Sequence, residues 1–314
     1  MSEALPPAIA RHTKEQQHPM FSRILVATDL SEGSSEAIRQ AHAYACSTGG
    51  TLAVCHVFPS LLGVNMLFPQ RNATAVISVA DFEARARGLV EQQVAACIPA
   101  TGVEVFVDEG SGYASIVRRS EAWSADLVVV GNCGMAAAPG MDLGSVAAQV
   151  VRNAHCAVLV ARATAARGVV VAATDFSDAS LPAIAAGVGE ARRRGARLLA
   201  VHVVEFGGFA IGLEEALRAG MQDPPRWDID EEVRRGFRDR LRDALERCGG
   251  AGEIRVLQGT PAAAVVRCAD EVKAELVVVG TLGRTGLARL ALGSIAERVI
   301  RSAACSVLAV RLAG

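Results

Sequence analysis

Two aspartates and two glycine-rich segments carry the chemistry this sequence can offer. Asp29 sits in ILVATDLS, Ile24 to Ser31, and Asp175 in VVAATDFS, Val170 to Ser177. An ionised carboxylate there accepts hydrogen bonds from the hydroxyl or amino groups of a ligand. Farther on, GNCGMAAAPGMDLGS carries Gly131, then two residues, Gly134, then nine residues, then Gly144-Ser145. GTLGRTGLARLALGS repeats the spacing with Gly280, Gly283 and Gly293-Ser294. A glycine just after a strand lets a ligand approach the main chain without a Cβ in the way. Gly-Ser opening a helix offers backbone N–H groups, a hydroxyl and the positive end of the helix dipole, a ready site for phosphate. The plain alternative is that the glycines only make turns. Recurrence of the same three glycines and a serine, while the residues between them diverge, favours the ligand reading.

These residues recur because the chain repeats itself. Ala-Thr-Asp-x-Ser returns 146 residues later (29 to 175), and the glycine segment returns 149 later (131 to 280). The halves are two copies of one unit of about 145 residues, residues 21–162 and 167–313, joined by Ala163 to Arg167. Residues 1–20 read as a flexible tail. In each copy apolar runs alternate with helical patterns. The first has strands near Arg23–Thr28, Thr51–Val57, Val103–Val107, Leu127–Val130 and Ala157–Ala161. Helices cover Glu32–Thr48, about Val79–Cys97, about Tyr113–Trp123 and Ser145–Asn153. Ser31 is placed to cap the first helix, and Gly49-Gly50 to end it. The second copy follows, with strands near 169–174, 197–203, 254–257, 276–279 and 306–310. Strands alternating with helices predict an α/β fold, a doubly wound parallel sheet in each copy. LVVVG is apolar throughout, as a strand buried on both faces must be. The irregular stretches Phe58–Ala80 and Val204–Asp228 are long for plain loops and read as lids, docking surfaces or partly helical.

Composition narrows the function. Of 314 residues, 51% are hydrophobic, which supports sizeable cores. A net charge of −1 argues against non-specific nucleic-acid or membrane-surface binding, which needs a basic excess. The eight cysteines form no C-x-x-C pair and read as buried thiols of a reducing cytoplasm. The chain shows neither a P-loop nor a glycine-rich turn after its first strand, which disfavours a P-loop enzyme and a dinucleotide-binding domain.

From residue 20 onward the chain resembles the universal stress proteins, in the pattern G-x2-G-x9-G-S/T after a strand with an aspartate ending strand one. The second copy, from Gly280 through Arg311, is very similar to the family pattern. The resemblance implies a five-stranded parallel sheet of order 3-2-1-4-5 in each copy, the adenine nucleotide alpha hydrolase-like arrangement. It also implies ATP binding; Mg²⁺ is compatible with bound ATP, since it mostly uses phosphates and water, and the sequence shows no dedicated carboxylate cage. Carried over by position, Ala27, Asp29, Ala173 and Asp175 would lie by the adenosine. Val57 and Val203 would meet adenine through their main chain, and Gly131 and Gly280 would face the ribose. Phosphates would rest on Gly134, Gly144, Ser145 and Val146 in one copy, and on Gly283, Arg284, Gly293, Ser294 and Ile295 in the other. Met135 stands where the second copy has Arg284, and Pro139 stiffens the first copy's loop, so the second copy is expected to hold ATP more tightly. The resemblance also implies antiparallel pairing of the two fifth strands, with a further dimer of chains plausible.

Rival readings stand beside these. Asp29 and Asp175 also read as capping acids with Ser31 and Ser177. His56 and His202, equivalent in strand two, read as packing residues, because no carboxylate or cysteine recurs beside both. The function expected is an ATP-binding, cytoplasmic stress-response or regulatory module with an unidentified protein partner. The alternatives are a slow ATP hydrolase or nucleotide-transfer enzyme, assisted by Asp175, and a structural interaction protein that binds no nucleotide.

Overall fold

A computed structural model describes residues 20–59, 79–134, 143–205, 229–281 and 292–311. Residues 1–19 of the expected tail, most of both irregular stretches, and Gly283 and Arg284 lie outside the described residues. In the first half β1 (Arg23–Thr28), α1 (Glu32–Thr48), β2 (Thr51–Phe58), α2 (Val79–Cys97), β3 (Glu104–Glu109), α3 (Gly112–Ala122), β4 (Leu127–Gly131), α4 (Ser145–Asn153) and β5 (Ala157–Ala161) alternate. The second half repeats them as β6 (Val169–Ala173), α5 (Leu181–Arg194), β7 (Arg197–Val204), α6 (Glu231–Arg247), β8 (Glu253–Gln258), α7 (Pro261–Glu271), β9 (Leu276–Gly280), α8 (Ser294–Ser302) and β10 (Ser306–Val310). Local signals set the helix ends. Ser31 accepts a hydrogen bond from the Ser34 N–H, and Gly49 closes α1 in the left-handed conformation at φ 66°. β3 runs two residues past its expected end, because Asp108 and Glu109 continue the ladder beside Val57 and Phe58.

Within each half the strands order as 3-2-1-4-5, and all pairs inside a half are parallel. The halves then join into one ten-stranded sheet, β3-β2-β1-β4-β5-β10-β9-β6-β7-β8. The junction is antiparallel, with Leu308 opposite Leu159, Val307 opposite Val160 and Ala309 opposite Val158. Leu159 and Leu308 are equivalent residues, so a pseudo-twofold axis passes between them. Pairing removes two exposed sheet edges.

Strand alternation divides the core between the two faces. Val26, Val129, Leu159, Val278 and Leu308 pack on one side, under α1, α2, α5 and α6. Leu25, Val128, Val158, Val277 and Val307 pack on the other, under α3, α4, α7 and α8. Each fully buried Val or Leu contributes roughly 1.5–3 kcal/mol. Both cores run across the junction, so the halves share hydrophobic layers as well as strands.

On the axis, α1 meets α5 through a buried polar cluster. Tyr44 and Glu190 are equivalent positions, and the Tyr44 hydroxyl donates to Glu190 Oε2 at 2.5 Å. The Arg193 and Arg194 guanidinium groups add bonds to the same oxygen at 2.8 and 3.0 Å. Burial works against Glu190's charged form. Arg193, Arg194 and the Tyr44 hydroxyl outweigh it and hold the carboxyl below its usual range.

Candidate functional site

The first half's predicted residues converge at the carboxyl ends of its strands. After β1 the chain turns sharply, because Thr28 and Asp29 anchor it by their side chains. Thr28 Oγ1 donates to Gln93 Oε1 at 2.6 Å and accepts from the Leu30 N–H at 3.0 Å. Asp29 Oδ1 accepts from the Ser31 N–H at 3.1 Å and the Ser31 hydroxyl at 2.5 Å. Ser31 in turn caps α1, so the capping reading of Asp29 holds for this oxygen. Leu30 is left at φ 68°, an uncommon conformation for a leucine. The second half repeats the turn but not the cap, since Ser180 rather than Ser177 precedes α5 and makes no side-chain cap bond. Asp175 Oδ1 accepts from the Ser177 N–H and hydroxyl at 2.9 and 2.6 Å, and Phe176 stands at φ 64°.

His56 and His202 support this turn. Each points Nδ1 at the carbonyl of the strand-one threonine, Thr28 or Thr174, at 2.9 Å. A carbonyl only accepts, so Nδ1 carries a hydrogen in both. His202 also packs between Phe176 and Phe237, with ring centroids at 4.4 and 4.6 Å. These are structural histidines.

The glycines have distinct duties. A Cβ on Gly131 would stand 2.8 Å from the Gly33 carbonyl, and one on Gly280 would stand 2.7 Å from the Ala179 carbonyl. The missing side chain therefore lets the end of β4 pass the first turn of α1, and the end of β9 pass the turn that leads into α5. A Cβ on Gly134 would overlap the second oxygen of Asp29, so that glycine makes room for the carboxylate. Gly144 meets only ordinary contacts, the nearest at 3.4 Å from the Asn132 carbonyl. Its N–H donates to that carbonyl at 2.6 Å and pins the start of α4 to the end of β4; Gly293 bonds the Thr281 carbonyl likewise at 2.7 Å.

Ala27, Asp29, Val57, Gly131, Gly134, Gly144, Ser145 and Val146 all line one cleft of about 250 Å³. It lies where the chain order reverses between β1 and β4, the switch point at which open α/β sheets take ligands. Gly112 and Ile116 of α3 form a further wall that the sequence reading missed. The Gly110-Ser-Gly112 turn after β3 was the available signal. α4 enters the cleft with no side chain capping it. The N–H groups of Ser145, Val146 and Ala147 lack intrahelical acceptors, as in any first turn. A carboxylate and an uncapped helix start thus share one cleft, suited to a ligand with hydroxyl or amino groups at one end and an anion at the other. Cys55, two residues before Val57, is no nucleophile; burial, then the Asp108 charge, pushes its thiol up to about 12. In the second half Ala173, Asp175, Val203 and Gly280 occupy the equivalent strand ends, and Gly293, Ser294 and Ile295 open α8, again without a side-chain cap.

A profile described as the Universal stress protein family matches residues 20–162 and again residues 167–311. The chain belongs to the universal stress protein family. A universal stress protein of Mycolicibacterium smegmatis is 31% identical over 303 residues, covering 92% of this chain and 96% of its own. Another, from Methanocaldococcus jannaschii, is 34% identical over 149 residues, 45% of this chain and 81% of its own. The solved universal stress protein of Archaeoglobus fulgidus is 18% identical and covers 93% of this chain and 97% of its own at a TM-score of 0.60, a likeness of fold. Among the described residues, no helix of this tandem universal stress protein is long and apolar enough to cross a membrane.

Proposed function

We propose that this tandem universal stress protein binds an adenine nucleotide, ATP in the first instance, and works as a stress-response or regulatory module. The observation that carries the reading is the first-half cleft, in which the Asp29 carboxylate and the uncapped start of α4 line one cavity at the β1/β4 switch point. The residues fit the ligand. The described residues enclose about 250 Å³, just below the ~300–1,000 Å³ typical of small-molecule sites. Asp29 and the main chain around Val57 suit the hydroxyl and amino groups of adenosine. Ser145, Val146 and Ala147 offer N–H groups to phosphate. Bound Mg²⁺ would be held mostly by phosphate and water. The second half would bind through Asp175, Val203, Gly280, Gly283, Gly293, Ser294 and Ile295, with Arg284 adding a cation and the higher affinity.

The test is direct. The purified protein is denatured and any released nucleotide identified, then ATP binding is titrated and its fate followed over hours. Retained or titratable adenine nucleotide, lost on Gly144→Asp together with Gly293→Asp, is expected. No release and no binding would favour the structural interaction protein. Steady ADP formation that Asp175→Ala abolishes would make the protein a slow hydrolase. Localisation to the cytoplasm and a protein partner that senses the loaded state complete the proposal; pull-down with and without ATP tests the latter.

A further inference from the structure

Both helices that open toward the proposed sites are short, nine residues each, and each ends against a residue of the opposite half. Arg311, just after β10 in the second half, donates from Nη2 to the carbonyls of Val151 and Arg152 in the last turn of α4, at 2.8 and 2.7 Å. Arg162, just after β5 in the first half, donates from Nη2 to the Ile300 carbonyl in the last turn of α8 at 2.6 Å, and lies 3.5 Å from that of Arg301. The two arginines are equivalent residues, 149 apart, and so are their acceptors. Arg152 of α4 also reaches Glu297 in the first turn of α8 at 3.2 Å.

A nine-residue helix is too short to hold itself by propensity, so its packing and its end contacts fix its place. The last carbonyls of α4 need donors and favour a cation, and both come from the other half. Its first N–H groups have no side-chain cap of their own. The direction in which Ser145, Val146 and Ala147 aim their N–H groups is therefore set partly from across the pseudo-twofold axis.

We infer that Arg311 and Arg162 are positioning residues acting in trans: Arg311 orients the anion-binding helix of the first half, and Arg162 that of the second. The inference rests on the nucleotide reading for its affinity consequence, and on the hydrogen-bond geometry alone for its structural one. Each half's site is thereby sensitive to the other half.

The experiment isolates one site at a time. In a Gly293→Asp protein, where the first-half cleft remains, ATP binding is titrated for Arg311→Met and for Arg162→Met. Arg311→Met is expected to weaken binding about five- to tenfold, and Arg162→Met by less than about twofold. In a Gly144→Asp protein the order reverses. Arg311→Lys, which keeps the charge but not the planar fork, should fall between parent and Met. Equal losses from both arginines in either background would mean only that a shared interface has been weakened, and would overturn the inference, as would no loss from either. If the parent binds no nucleotide, the functional proposal fails separately, and amide hydrogen exchange decides this one. Arg311→Met should then speed exchange at residues 145–147 more than at 294–296, and Arg162→Met the reverse. A uniform change, or none, overturns the assignment.

Discussion

Glu190→Ala should be among the most damaging single substitutions outside the apolar core. The carboxylate is 2% exposed and lies between the halves. It accepts from Tyr44 at 2.5 Å, from Arg193 at 2.8 Å and from Arg194 at 3.0 Å. Arg193 and Arg194 are themselves only 15% and 17% exposed. Removing the acid leaves two guanidinium groups crowded near a phenol without their shared counter-charge. Arg194 retains the carboxylate of Glu275 at 3.4 Å. Breaking a buried pair in this way costs about 3–5 kcal/mol, a large part of the ~5–15 kcal/mol that holds a typical domain. Urea unfolding of parent and Glu190→Ala proteins, followed by tryptophan fluorescence and by circular dichroism, measures the difference. Glu190→Gln keeps the shape, loses the charge and should cost less. pH gives an independent check. Because the folded carboxyl is held below its usual value of about 4.5, its stabilisation is present above that pH and fades as pH falls through the folded value. The parent should therefore lose stability more steeply than Glu190→Gln in acid below about pH 4.5. A loss under about 1 kcal/mol for Glu190→Ala, or identical acid limbs, would refute the reasoning.

The glycines should separate by duty. Gly131→Ala and Gly280→Ala should each cost about 1–3 kcal/mol in thermal or urea unfolding, because a Cβ meets backbone at 2.8 and 2.7 Å, whereas Gly144→Ala should stay within about 1 kcal/mol. Gly134→Ala should move the Asp29 carboxylate and weaken nucleotide binding more than it lowers stability, read as a change in affinity against a nearly constant melting temperature. Among the eight thiols, Cys46 is exposed, while burial pushes Cys55 and Cys156 up to about 12 and Cys305 up to about 11. Timed alkylation with peptide mapping should therefore find Cys46 modified well before those three.

Much of this protein is legible in one dimension, and the reason is locality. Apolar runs such as LVVVG, the cap at Ser31 and the stop at Gly49 each depend on neighbours within a few residues, so the sequence states them directly. Duplication let the chain annotate itself, marking Asp29, Gly131, Gly134 and Gly144-Ser145 as a set before any of them could be seen to share a cleft. Spacing alone could not assign their duties. Gly131 lines the cleft and also lets the end of β4 pass the first turn of α1, and Gly134 makes room for Asp29. Gly112 and Ile116 were marked only by the Gly110-Ser-Gly112 turn, because they reach the cleft through the crossover of α3. The antiparallel pairing of β5 with β10 was expected from the resemblance, but the side-chain contacts across the junction were least visible. Tyr44 and Glu190 are unlike residues at equivalent places, so repetition hides their pairing, and Arg162 and Arg311 are like residues whose partners lie in the opposite copy. Such contacts obey the pseudo-twofold axis, and an axis exists only once ten strands have closed into one sheet.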